Sequence, residues 1–580
     1  MKRTDEDERI AGLIERLRSG RIDRRQFGRE AAAIGLGSRA ALALAGTTLG
    51  VGAGLAGRRT AGARLPAKQG QGGTISVAQT GGDPGIGIPI LVGGTDNYPF
   101  WWAFSRLVSY DDSGLPIPDL ADEWSYNAEG TELTFKLNPS ATWHDGQPVT
   151  SADVIFTLDK IADPTTKTDL ASRLQVAGES TVWTAPDPAT VVLTVKEPFA
   201  PFLFALSGIG IIPKHLLEGS ADLATDPFNM QPVGSGPFRI VEWEQDQFTR
   251  YERYPEYFRG PAAADGLNEV FFEDVQPALA AMEAGELDIS FAPPESQAAY
   301  EDNPDFLLLR YVYFTPISLS FNAKHPFFQD IKVRQAIRFA IDKDSLAETL
   351  TKGRNPRADN QYANTGPLDR YNNYELPPDE LNLDEANRLL DDAGWVRGDD
   401  GVRAKDGQRF SLPMLTYSGF EEYKNGLEVL QAMLAEVGIE TQPGVIDYDA
   451  LSQRWQDPND DPLTRPFTLE EYPHPFEQDP DVHEELHSRS FPPAGQNYNY
   501  FKDDEVDRLI DEGRRETDDA KRIAIYHQLD ARRKETIPSI PLYLATDSWI
   551  FSRLVGGVPE DSPSSRWFLR CCANMMFKTT

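Results

Sequence analysis

The chain has 580 residues, 40% hydrophobic and 25% charged, with 57 basic and 90 acidic side chains and a formal net charge of -33. That composition excludes wholesale disorder, and so negative a surface makes nucleic acid and anionic lipid poor partners. Cys571 and Cys572 are the only cysteines and are adjacent, so neither a disulfide framework nor a Cys-rich metal site is available and the fold rests on its core.

The N-terminus reads as an export address. DRRQFGRE is followed by AALALAGTTLGVGAGLA and RRTAGARLP, which supply a basic region, a modestly apolar run and a small-x-small exit. Arg24 and Arg25 followed by Phe27 resemble the twin-arginine motif of the pathway that exports folded proteins, although Asp23, Gly28 and Arg39 depart from its commonest form. A membrane anchor is the alternative. The stretch from Ala40 to Ala56 is short and Gly-rich against the roughly 20 apolar residues of a span. Cleavage is expected after Ala63, which makes residues 1–63 a signal peptide. No Cys follows the apolar run, so no lipoprotein anchor is expected there.

From Gly73 onward strand and helix patterns alternate irregularly. GGTISVAQT, TELTFKLN, ATVVLTVKE, NEVFFED and FLLLRYVY are rich in β-branched and aromatic residues and alternate as strands do. One helix is expected from a cap at Asp330 through DIKVRQAIRFAIDKDSLAETLTKG to Gly353, with Val333, Ile337 and Ile341 at helical spacing. LDEANRLLDDAG follows the same grammar, from Asp384 to Gly394. So does KNGLEVLQAMLAEVGIE, which puts Leu427, Leu430, Leu434 and Val437 on one face and stops at Gly438. The 43 prolines and 46 glycines are spread through the connections and no repeat follows the signal. The expected class is α/β, with lobes that interleave along the chain.

EQDPDVHEELHSRSF holds His483, Glu484 and His487 as H-E-x-x-H, the pattern in which two histidines one helical turn apart bind zinc and the Glu serves as general base. A secreted zinc metallohydrolase is therefore the reading to weigh against a binding protein. It asks for a longer helix, a third ligand and a substrate cleft. Glu505 lies downstream, but DDEVDRLID around it reads as an ordinary helix, and the other five histidines form no second cluster. So short a pattern arises often by chance; zinc hydrolysis stays the alternative, with incidental metal binding by an exposed His483–His487 pair beside it. No G-x-S-x-G elbow or P-loop occurs, and no catalytic residue or cofactor is expected.

Several stretches together resemble the family 5 extracellular solute-binding proteins, the oligopeptide- and dipeptide-binding receptors of ABC importers. LADEWSYNAEGTELTFKLNPSATWHDGQPVTSADVIFTLDKI is similar to the family signature, with Trp143-His144-Asp145-Gly146 as its turn and a capping box from Thr150 to Asp153. PVGSGPFRIVEWEQDQFTRYERYPEYF resembles its P-V-G-[ST]-G-P-[YF] strand and the aromatic hairpin that follows. AMEAGELDI, LSFNAKHPFFQDIKVRQAIRFAIDKDSL, LDEANRLLDDAG, QAMLAEVGIE and DEVDRLIDEG…IPSIPLY match in order. The resemblance covers nearly everything from Gly73 to about Tyr543.

It implies a two-lobed periplasmic-binding-protein type II fold with an inserted accessory domain and a cleft that closes about a hinge. Domain I would comprise residues 73–113, 231–315 and 539–580, accessory domain II residues 114–230, and domain III residues 316–538. The implied protein is an exported, non-catalytic monomer in the periplasm or at the outer face of the membrane. It would capture a solute, an oligopeptide before any other, and deliver it to an ABC permease.

In the peptide-binding members an Asp ahead of a D-P-D run holds the ligand's α-amino group while a backbone edge pairs with the peptide. Here that position falls near Phe476, and Glu477 and Asp479 are the nearest carboxylates; the departure admits an oligosaccharide instead. Tyr98, Trp101 and Trp102 in NYPFWWAF, Tyr362 in QYANTGP and Tyr472 in LEEYPHPF fall in segments that line the family's cleft. They are expected ligand platforms, against the alternative that each is core.

Overall fold

The computed structural model describes residues 72–91, 98–111, 115–176, 179–293, 296–363, 366–418, 420–471, 479–558 and 573–578. The signal segment, Cys571 and Cys572 lie outside them. The chain divides into Met1–Ala63 and Arg64–Thr580, and all described residues belong to the second unit.

Among the described residues, ten strands form one sheet. In chain order they are β1 (Thr74–Thr80), β2 (Phe238–Glu244), β3 (Phe248–Arg253), β4 (Gly266–Phe272), β5 (Ile289–Phe291), β6 (Phe306–Phe321), β7 (Ser411–Tyr417), β8 (Glu440–Ile446), β9 (Phe467–Glu471) and β10 (Ser539–Ser552). Across the sheet they run β2-β3-β4-β1-β5-β10-β6-β9-β7-β8. β1 pairs in parallel with β4 and β5, and β7 in parallel with β8 and β9.

β6 and β10, of 16 and 14 residues, lie side by side at the centre and tie the two halves together. One end of the pair runs from Phe306 against Ser552 to Val312 against Thr546, beside β5; the other, from Pro316 against Leu544 to Ser320 against Ser539, lies beside β9. Their register shifts between Val312 and Pro316 and again between Ile317 and Ser318. Proline has no N–H to give to a ladder, so Pro316 sits where the pairing is already broken. Two continuous strands with an irregular middle make a hinge between the halves of one sheet.

Before β2 the chain builds a body with its own core. Ala121–Tyr126, Glu132–Leu137, Thr190–Thr194 and Val182–Asp187 form an antiparallel sheet in that order. Leu133, Phe135 and Leu137 alternate inward as the period of a half-buried strand requires. Helix α1 (Tyr98–Ala103) precedes this sheet, and α2 (Ser151–Ala162) packs on it through Val154, Leu158 and Ile161. The Thr150–Asp153 capping box forms: the Asp153 carboxylate accepts the Thr150 amide at 2.8 Å. This core runs from Ile88 to Phe228 and is separate from that of the far half of the main sheet, which runs from Ile317 to Tyr543.

The far half departs from expectation at one place. In place of a single helix from Asp330 to Gly353, α3 (Ile331–Phe339) and α4 (Lys343–Thr351) follow each other. Asp342 explains the break, because its side chain accepts the Ser345 amide at 3.0 Å and starts a new helix there. Asp330 caps α3 as expected. α5 (Leu383–Asp392) is capped by Asn382, two residues before the expected Asp384. α6 (Glu421–Glu436) buries Leu427, Leu430 and Leu434. Gly353, Gly394 and Gly438 all have positive φ just past helix ends, the conformation that favours glycine there.

Candidate functional site

The two family-like motifs meet and lock to each other. The Trp143 ring is fully buried, and the next residue, His144, has Nδ1 accepting the Gly234 amide at 3.3 Å. A neutral imidazole with an acceptor at Nδ1 carries its proton on Nε2, which donates to the Gly236 carbonyl at 3.0 Å. Burial holds the His144 pKa down to about 4, so the ring is neutral at physiological pH. A Cβ at Gly234 would stand 1.8 Å from the Ala103 carbonyl oxygen, and one at Gly236 would stand 2.5 Å from that of Trp102. The glycines therefore exist so that this strand can lie against the end of α1. These signatures build the scaffold that joins the end of α1 to the chain leading into β2.

The expected ligand platforms divide. Trp102 is 1% exposed and meets Tyr251 edge-on at 5.3 Å among Ile75, Val77 and Phe238. It packs there as a core residue. Trp101 is half-buried with the Arg106 guanidinium 3.8 Å above its ring. Tyr98 opens α1. Tyr362 is buried, packs with Leu368 and Val482, donates its hydroxyl to the Pro480 carbonyl at 2.5 Å, and also lines a cavity with Arg357, Asp359 and Tyr374. Tyr472 and Glu477 lie outside the described residues. Asp479 is buried, and Arg522 grips both its oxygens at 2.7 and 2.6 Å. Its charge already has a resident partner, with which a ligand's ammonium would have to compete.

The H-E-x-x-H segment folds as α7 (His483–Leu486), a helix of 4 residues that ends before His487, where the backbone is extended. The ring centroids of His483 and His487 are 4.6 Å apart, and donor atoms of His483, His487 and Asp511 lie within 4.8 Å of one another. These donors are engaged elsewhere. His487 Nδ1 accepts the Arg489 amide at 3.0 Å, and its Nε2 lies 3.1 Å from the Arg489 guanidinium. The Arg489 guanidinium holds both Asp511 oxygens at 2.6 and 2.7 Å. His487 is 3% exposed, against the exposed pair expected. An ion held by His483, His487 and Asp511 would have to displace the Arg489 guanidinium, which already neutralises the carboxylate.

Sequence reasoning missed an aromatic wall at the carboxyl ends of the parallel strands, where open α/β sheets usually bind ligands. Tyr417 ends β7 and meets Phe420, Tyr423 and Tyr448 edge-on, at 5.9, 5.3 and 5.2 Å. Phe420 and Tyr448 are 54% and 51% exposed. Behind them Trp455 stacks on Tyr498 at 5.4 Å with the planes 9° apart. Each such pair adds roughly 0.5–1.5 kcal/mol beyond its buried area, so the wall is stiff although its rim is open. Glu470, in β9, is 2% exposed, and burial pushes its pKa up to about 7. Aromatics at or just past the strand ends, in TYSGF and VIDY, were the signal available in the sequence.

Two lobes on one hinged sheet, with a lined edge at the carboxyl ends of its strands, define a solute-binding protein that closes on its ligand. Residues 116–467 match the bacterial extracellular solute-binding proteins, family 5 Middle, and the chain belongs to that family. It is 29% identical over 486 residues to a putative ABC transporter peptide-binding protein of Brucella ovis, covering 80% of this chain and 87% of that one. To the oligopeptide-binding protein AppA of Bacillus subtilis it is 26% identical, covering 81% of this chain and 88% of that one. The structure of that AppA with a nonapeptide matches at TM-score 0.70 and 25% identity, over 88% of this chain and 100% of the other. NikZ from Campylobacter jejuni, in complex with Ni(L-His), matches at TM-score 0.72 and 22% identity, over 87% and 99%. At that identity the likeness concerns the fold.

Proteins of this family serve ABC importers outside the cytoplasmic membrane, and no helix among the described residues is long and apolar enough to cross one.

Proposed function

We propose that this chain binds oligopeptides between the two halves of its main sheet and passes them to an ABC permease, without chemistry of its own. The aromatic wall of Tyr417, Phe420 and Tyr448 carries the reading, because the exposed Phe420 and Tyr448 rings, held near strand ends by the half-buried Tyr417, give an extended ligand flat faces to lie on. The peptide-binding relatives support the ligand class. Domain I is then residues 73–113, 231–315 and 539–580, accessory domain II residues 114–230, and domain III residues 316–538. The register break after Val312 falls beside one of these boundaries. Export would follow the twin-arginine route, tested by replacing Arg24 and Arg25 with Lys and looking for precursor held in the cytoplasm.

Calorimetry with nonapeptides, free or acetylated at the amino end, and with oligosaccharides tests the ligand class. Saturable peptide binding is expected, weakened about tenfold by Phe420→Ala or Tyr448→Ala, the loss of one aromatic contact. Binding of oligosaccharides and no peptide would move the reading to sugars, which stack on the same wall.

A further inference from the structure

We infer that Asp479 and Asp481, through the arginines they hold, dock the body cored by Ile88 to Phe228 onto the end of helix α8 (Asp504–Arg515). The carboxylates that the sequence assigns to a ligand would then serve a contact within the protein. The dock would then tie the accessory body to the half of the molecule that carries α8.

The contacts run through the last turn of α8. A helix leaves its final carbonyls without partners inside the helix. One of these, that of Arg514, accepts the Ala200 amide from the other body at 2.7 Å. The Arg514 guanidinium lies over the Phe199 ring at 4.9 Å, and its Nε stands 3.1 Å from Asp481 Oδ2. Asp481 is 1% exposed, so this approach to Arg514 is shielded from water. Next along the chain, Arg515 grips Glu197 twice, Nε to Oε2 at 2.9 Å and Nη2 to Oε1 at 3.1 Å.

Asp479 completes the seat. It holds Arg522, in helix α9 (Asp519–Thr536), and the Arg522 Nε donates to the Gly513 carbonyl at 2.8 Å, again in the last turn of α8. Tyr110 and Tyr126, from the opposite body, feel the charges of this ion pair. The two sides have different cores: Phe199 and Phe202 pack with the Ile88–Phe228 set, whereas Val506, Leu509 and Ile510 of α8 pack with Tyr362 and Val482. The helix end is thus a socket, set by two buried carboxylates and filled by the Glu197–Ala200 segment.

The test of the dock needs no ligand. Hydrogen exchange at the Ala200 amide is followed in the full-length protein and in Glu197→Lys, Arg515→Glu and the double exchange of the two charges. Glu197 and Arg515 are partly exposed, so neither replacement threatens the cores. Each single variant should speed exchange at Ala200 about two- to fivefold, the range of an exposed ion pair, and the double variant should restore it. Arg514→Met should speed it at least about tenfold, by removing a charge-assisted contact together with the ring contact. Unchanged exchange at Ala200 in all these variants would overturn the dock. A protein that shows the dock and binds no peptide would defeat the proposed ligand class and leave the dock standing.

Discussion

Arg522 holds both oxygens of Asp479 within a site where each side chain is less than a tenth exposed. Removing one partner of a buried pair strands the other charge. Asp479→Ala should therefore cost about 3–5 kcal/mol of stability, seen as a large drop in the midpoint of thermal or denaturant unfolding. Its effect on discrimination between free and acetylated peptides should be nil. A variant of unchanged stability that loses this discrimination would restore the amine-anchor reading.

Gly234→Ala should be among the most damaging single substitutions in the chain. Its new Cβ would meet the Ala103 carbonyl oxygen at 1.8 Å, backbone against backbone, so nothing flexible can yield. A loss of about 3 kcal/mol or more is expected. Gly219→Ala is the control: nothing stands within 4 Å of that Cβ, and the change should stay within about 0.5 kcal/mol. Urea midpoints of the two variants make the comparison.

His144 gives the protein an acid-labile joint. Its folded pKa, about 4, lies below the ordinary 6.5, because burial disfavours the charged ring. A depressed histidine contributes stability that is complete above pH ~6.5 and is lost as pH falls toward 4, up to about 3 kcal/mol in all. His144→Asn should lower stability at pH 7 and flatten this slope. An unchanged slope between pH 7 and 4.5 would contradict the assignment.

Glu269 acts in the opposite sense. It is fully buried in β4, accepts the Tyr251 hydroxyl at 2.7 Å, and burial pushes its pKa up to about 8. A raised carboxyl binds its proton more tightly in the folded state, so its contribution is complete below pH ~4.5 and is lost as pH rises toward 8. Glu269→Gln, which keeps the shape and cannot ionise, should raise the melting temperature at pH 8.5 and leave it nearly unchanged at pH 5. Scanning calorimetry at the two pH values decides it.

The local grammar of the chain was readable where one element answers to its own residues. Leu133, Phe135 and Leu137 announce a half-buried strand, and Thr150 with Asp153 announces a helix start, because both signals lie within a few residues. The break between α3 and α4 was missed since Asp342 competes locally with a helical stripe that continues through it. His483 and His487 have the spacing of one helical turn, yet the helix stops at Leu486. The fate of Asp479 could not be read at all: its partner, Arg522, is 43 residues away and only the packing of α9 brings it near. The aromatic wall was hidden for the same reason, since it is assembled from the ends of strands that become neighbours only in the sheet.

The place of β10 in the sheet bears on how the protein is made. It follows every other strand of the sheet along the chain, yet it lies between β5 and β6, pairing with both. While a ribosome is still synthesising the earlier strands, the edges of β5 and β6 that will receive β10 stand open, and open strand edges invite pairing with other chains. The scaffold shared by both lobes cannot close until this late strand arrives. Protection of the nascent chain is therefore most needed just before β10 emerges, and a transport route that admits only finished folds would accept this protein only after that strand is in place.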